Sequence, residues 1–194
     1  STKIISWIGE GTYAEVFLVE DEDGNKYACK RIDKKHIEDE RLEEQVQIEY
    51  DILKNVRHHN LLTILESYED ENYHYFYTEY IEEKDLKYQM NEHKKLFTLK
   101  EVANIAIQMI NALEALHQNG FLHRDIKPAN ILIDKDNHIK LADFGTAKNL
   151  NNGKIDSYTI GTLEYMAPES FKEFDHNRYG YQVDWWALGI TLYQ

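Results

Sequence analysis

The chain has 194 residues, 42% of them hydrophobic and 29% charged, a composition that fits one globular domain or two small lobes and leaves no apolar run long enough to span a bilayer as a helix. A formal net charge of -13 argues against nonspecific binding to nucleic acid and against insertion into or adhesion to anionic membrane, because such surfaces repel it at long range. Cys29 is the single cysteine and no Asn-x-Ser/Thr sequon occurs, so an intramolecular disulfide is excluded and an intracellular, cytoplasmic protein is expected.

The N-terminal residues alternate as a strand would and read as neither signal nor transit peptide. That strand, residues 4–11, runs into Gly9-Glu10-Gly11-Thr12-Tyr13-Ala14-Glu15-Val16, and Phe17-Leu18-Val19 continues as a second strand. Asp23-Gly24-Asn25 is a turn signal before a third, Lys26-Tyr27-Ala28-Cys29-Lys30-Arg31-Ile32. Two glycines in the first turn let backbone amides approach phosphate oxygens with no Cβ in the way, although hairpin turns use glycine for geometry alone. A dinucleotide fingerprint needs a helix where β-rich residues 16–19 stand, and no Gly-Lys-Ser/Thr ending makes a P-loop. Alternation on the third strand puts Ala28 and Lys30 on one face, beneath the glycine turn.

Residues 34–55 read as one charged helix whose apolar stripe is Leu42, Val46, Glu49, Leu53 and Val56. Glu49 is the intruder, and a carboxylate inside a buried stripe needs a cation, for which Lys30 is the nearest candidate. Residues 61–68 and 73–81 add two strands, giving a small five-stranded antiparallel sheet with one helix. The composition changes at Glu82-Glu83-Lys84-Asp85, which divides the chain into lobes of residues 1–81 and 82–194. A short helix starts at Leu86. The next is announced by a capping box, Thr98 and Glu101, carries Val102, Ile105, Ala106, Met109, Ile110, Leu113 and Leu116 at helical spacing, and stops at Gly120.

Residues 121–145 interleave core side chains with charge: His123-Arg124-Asp125-Ile126-Lys127-Pro128-Ala129-Asn130, then the turn Asp134-Lys135-Asp136-Asn137, then Asp143-Phe144-Gly145. Polar groups at the edge of a core need partners, and a ligand is one kind of partner. A polar segment, residues 146–162, leads to Met166-Ala167-Pro168-Glu169 and an apolar helix from Val183 to the last residue.

Taken together in this order and at these separations, the motifs resemble the eukaryotic protein kinase domain of serine/threonine type. The resemblance implies an α+β, bilobal protein-kinase-like fold with a mainly helical larger lobe, incomplete at the C-terminus, and an enzyme using ATP and Mg2+. Gly9 and Gly11 would cover the phosphates, while Ile8, Val16, Ala28 and Leu132 sandwich the adenine. Lys30, held by Glu49, would contact the phosphates; Thr78 would back the pocket, Glu79 and Ile81 bond the adenine edge, and Asp85 reach the ribose. Asp125 would orient the incoming hydroxyl, Lys127 neutralise the transferred group, Asn130 and Asp143 hold magnesium, and Thr162 bond Asp125 and Lys127. The lysine two places after Asp125 matches the serine/threonine pattern, so the implied partners are ATP and protein substrates bearing serine or threonine.

Arg124 before the catalytic aspartate implies switching by phosphorylation of the following loop, with Thr159 ahead of Ser157 as acceptor and Lys148 as a second cationic partner. Two departures stand out: Ala14 in place of a third glycine, and Ala129 in place of an acidic residue often used to select basic substrates. The chain ends in the helix of Asp184, Trp185 and Trp186, so a truncated large lobe is expected, with Trp185, Trp186, Leu188, Ile190 and Leu192 partly uncovered as an association surface. Asp184 would brace the catalytic loop. A kinase-like binding module without catalysis is the alternative reading.

Overall fold

Alternation and turn chemistry fold the first third of the chain into an antiparallel meander in the computed structural model, which describes residues 2–152, 160–171 and 180–194. Strands β1 (Thr2–Glu10), β2 (Ala14–Asp21) and β3 (Lys26–Asp33) follow one another, and β4 (Ile64–Glu69) and β5 (Tyr73–Glu79) complete a five-stranded sheet of order β1-β2-β3-β5-β4. The β2–β3 turn closes because the Asp21 carboxylate accepts from the amides of Asp23 and Asn25 at 2.9 and 2.8 Å, while Gly24 takes the positive φ of 82° that a side chain resists. Register sets Lys30 between Val16 and Phe76, and Ala28 opposite Thr78.

The single helix expected over residues 34–55 is two helices, α1 (Lys34–Glu40) and α2 (Glu43–Asn55). Asp33 caps α1 by accepting from the Lys35 and His36 amides, and Arg41, in the left-handed region at φ 56°, ends it. No glycine or proline marks that break, which is why the hydrophobic period runs through it. On α2 the stripe faces the core as expected: Val46, Glu49, Leu53 and Val56 are buried, with Leu42 half-buried at the N-cap. The strand expected from residue 61 starts at Ile64; Leu61 instead bridges Leu141.

Beyond the sheet come α3 (Leu86–Asn91), capped by Asp85, and α4 (Leu99–Gln118), whose Thr98–Glu101 capping box is complete. Ile105, Met109, Leu113 and Leu116 point inward from α4, whereas Ile110 is 44% exposed on the outer face. Gly120, at φ 83°, ends the helix. Four short strands follow in two antiparallel pairs: β6 (Phe121–Leu122) with β9 (Lys148–Asn149), and β7 (Ile131–Ile133) with β8 (Ile139–Leu141). The last element is α5 (Gln182–Tyr193). Trp185 and Trp186 are exposed on it, but Leu188, expected to be partly uncovered, is buried beside Ala187 in the main core.

One contiguous core joins these parts, from Ile32, Ile52 and Phe76 through Leu113 and Leu116 to Ile126, Leu141 and Phe144. Its continuity seats Ile126, in the middle of residues 123–130, in the same core as the sheet. Among the described residues, no helix is long and apolar enough to cross a membrane. The α4 cap supplies a local test: Thr98→Ala removes both bonds of the Thr98 hydroxyl, to the Glu101 amide and carboxylate, but leaves the Thr98 amide bonded to Glu101, and it is expected to lower stability by about 1 kcal/mol in urea unfolding, with the denaturant slope unchanged.

Candidate active site

A cavity of roughly 260 Å³ lies where the sheet meets the β7–β8 hairpin. Ile8, Gly9 and Gly11 line it from β1 and the turn after it, Val16 from β2, and Ala28 and Lys30 from β3. Thr78, Glu79 and Ile81 line the side where β5 leaves the sheet, and Asp85, Asn130, Leu132 and Asp143 close the opposite side. Leu132 is held against Asp85 by an isolated bridge, and the Asp85 carboxylate also accepts from the Tyr88 amide at 2.8 Å. Leu62, Tyr80, Ala129 and Ala142 share the lining; Leu62 and Tyr80 fall in segments expected as strands but lie just outside β4 and β5.

Charge is concentrated at one end. Lys30 Nζ donates to Glu49 Oε1 at 2.5 Å and lies 3.3 Å from Asp143 Oδ1, with the Glu49 side chain 2% exposed. Burial alone would lower the Lys30 pKa, but the Asp143 and Glu49 carboxylates outweigh it and hold the ammonium above its ordinary value. For Asp143 burial pushes the pKa up, while Lys30 and the Gly145 amide pull harder, and the carboxyl stays below its usual range. The second Glu49 oxygen accepts from the Tyr13 hydroxyl. Tyr13 was invisible as a partner in the sequence, where it is one polar residue of a hairpin turn.

A second cluster forms around Asp125. Thr162 Oγ1 donates to Asp125 Oδ1 at 2.7 Å and accepts from Lys127 Nζ at 2.7 Å, and Lys127 also lies 3.3 Å from Asp125 Oδ2. Asn130 Nδ2 donates to the Asp125 carbonyl at 2.8 Å. Two backbone features hold these groups in place. Arg124 and Asp143 take positive φ values of 72° and 53°, costly for residues with a Cβ. Gly161, at φ 118°, brings Thr162 in so closely that an added Cβ would stand 2.4 Å from the Arg124 carbonyl oxygen.

Beneath the loop, fully buried Asp184 on α5 accepts from the His123 and Arg124 amides, both at 2.9 Å, and pairs with His117 Nε2 at 2.8 Å. His117, near the end of α4, carried no sequence signal, since only the folded chain brings it across to α5. Arg124 is buried, its Nε donating to the Thr146 carbonyl at 2.6 Å, and Lys148 lies 3.9 Å from Glu44 of α2. Ser157 and Thr159 fall outside the described residues.

The protein kinase domain family matches residues 2–194. The chain belongs to the protein kinase domain family. Similar proteins include some named as serine/threonine-protein kinases. It is 35% identical over 195 residues to a RAC family serine/threonine-protein kinase homolog of Dictyostelium discoideum, covering 99% of this chain and 43% of that one. It is 34% identical over 194 residues to the cAMP-dependent protein kinase catalytic subunit of the same organism, covering 99% and 29%. Against the Arabidopsis thaliana serine/threonine-protein kinase AtPK1/AtPK6 the identity is 32% over 193 residues, covering 99% and 41%. The chain thus spans less than half the length of these relatives.

The lowered Asp143 pKa has a signed consequence for stability. A carboxyl whose folded pKa lies below its unfolded value stabilises the fold fully above about pH 4 and loses that contribution as pH falls through the folded pKa. The stability difference between wild type and Asp143→Asn is therefore expected to be flat from about pH 5 to 8 and to shrink below about pH 4, measured by urea unfolding across that range.

Proposed function

We propose that this kinase domain transfers the γ-phosphoryl group of Mg-ATP to serine and threonine hydroxyls of protein substrates. The observation that carries the reading is the disposition of Lys30 and Asp143 at one end of the cavity and of the Asp125–Lys127–Thr162 cluster beside it. The purine would lie between Ile8, Val16 and Ala28 on one side and Leu132 on the other, against backbone groups of Glu79 and Ile81, with Thr78 behind it. One Asp85 oxygen is engaged by the Tyr88 amide, and the other would take the ribose. Backbone amides of the turn at Gly9 and Gly11, with Lys30, would meet the phosphates, the residues 1–81 and 82–194 forming the two lobes about them.

Phosphoryl transfer needs in-line positioning and neutralisation of spreading negative charge more than it needs covalent help. Asp125, oriented by Thr162 and the Asn130 amide, would accept the proton of the incoming hydroxyl, and Lys127 would offset charge on the moving group. Asn130 spends its Nδ2 on Asp125, which leaves its side-chain oxygen as the atom it can offer, and Asn130 and Asp143 line the same cavity. That pair of hard oxygen donors fits magnesium, which on binding would neutralise phosphate charge. The serine/threonine preference rests on Lys127 and its Thr162 contact, together with relatives named as serine/threonine-protein kinases.

For regulation, a phosphate on Thr159 or Ser157 would offer Arg124 a further charge-assisted hydrogen bond and would compete with Glu44 for Lys148. In the full-length protein, Asp125→Asn and Lys30→Met are each expected to lower turnover on serine and threonine peptides by about 10²-fold or more while the protein stays folded. Near-normal turnover by either variant, or transfer confined to tyrosine peptides, contradicts the reading.

A further inference from the structure

The turn between β1 and β2 packs into the charged end of the cavity rather than arching clear of it. Tyr13 is 7% exposed, and its hydroxyl donates to Glu49 Oε2, the oxygen that Lys30 leaves free. Its ring centroid lies 5.3 Å from Lys30 Nζ. The Thr12 hydroxyl reaches Asp143 Oδ1 at 3.4 Å, a Cβ built on Gly145 would stand 2.7 Å from that same hydroxyl oxygen, and one on Gly11 would stand 2.9 Å from Lys30 Cε. Three successive residues of the turn thus press on Lys30, Glu49 and Asp143, and of these Lys30 and Asp143 are the groups that the phosphates and their metal would reach.

We propose that Tyr13 is a latch: its bond to Glu49 holds the glycine turn down in the phosphate subsite, and a nucleotide must release that bond to seat its phosphates. This inference rests on the nucleotide-site reading above. Glu49 is buried, so both of its oxygens need donors, and Tyr13 supplies the second. Burial and the Glu49 charge push the Tyr13 pKa well above its ordinary value, and the hydroxyl remains a donor at neutral pH. The Lys30–Glu49 pair coexists with the latch, so opening the turn frees the subsite without dismantling the pair.

The apparent affinity of a ligand is its intrinsic affinity reduced by the open fraction, and one hydrogen bond to a charged group is enough to keep that fraction near a tenth. Calorimetric titration of the full-length protein with magnesium plus a non-hydrolysable ATP analogue, and separately with adenosine, reads the latch. Tyr13→Phe keeps the ring and loses the donor; it is expected to bind the analogue about three- to tenfold more tightly, and Tyr13→Ala at least as tightly, with adenosine affinity unchanged. Analogue affinity that is unchanged or weaker in both variants while adenosine still binds overturns the latch, as does an equal shift for both ligands. Failure of adenosine to bind wild type and variants alike overturns the nucleotide-site reading itself, and the latch with it.

Discussion

A lysine and a glutamate paired inside the protein, Lys30 with Glu49, set the terms for everything around them. Desolvating the two charges is costly, and removing one partner from such a pair typically costs about 3–5 kcal/mol because the other is left buried alone. The surroundings are built to meet that cost. Asp143 faces the ammonium, Tyr13 takes the second carboxylate oxygen, and β3 is fixed between β2 and β5 so that Lys30 has one place to go. The pair thereby ties together three parts distant in sequence: the central strand of the sheet, helix α2, and the segment after β8.

The segment after β8 is also where the second constraint enters. Asp143 and Arg124 hold backbone conformations that side chains resist, and Gly161 allows an approach that no other residue permits. Such conformations persist because neighbouring bonds over-determine them. Asp184 grips the amides of His123 and Arg124 from below, and Arg124 in turn donates to the Thr146 carbonyl beyond Asp143. Gln45 of α2 donates to the Ala147 carbonyl at 2.8 Å. Helix α2 therefore touches this segment directly through Gln45, whose acceptor carbonyl Arg124 also approaches at 3.5 Å, and indirectly through Glu49, which holds Lys30 beside Asp143.

How much of this is legible in the sequence depends on whether the signal is local. The Thr98–Glu101 capping box, the Asp21–Asn25 turn and the left-handed Gly120 are decided by neighbours in the chain and appear where the residues say they will. Glu49 is a long-range feature that still left a trace, because a carboxylate in an apolar stripe demands a cation. The break at Arg41 left none: the hydrophobic period continues across it, and only the Asp33 cap and a left-handed arginine divide α1 from α2. Ile110 fits the helical spacing of α4 but lies outside the arc that meets the core, while Leu188 is covered by contacts that a reading of the last helix alone does not contain. Tyr13, Gln45 and His117 find their partners 36, 102 and 67 residues away, and nothing in their own surroundings in the chain points there.

If the buried pair organises the site, Glu49 acts on phosphoryl transfer through Lys30 and not independently of it. The most direct measurement is a double-mutant cycle on kcat/KM for Mg-ATP with Lys30→Met, Glu49→Gln and the two combined. The account predicts that the double variant is no worse than Lys30→Met alone, the Glu49 effect vanishing once the lysine is gone. Losses that multiply would contradict it.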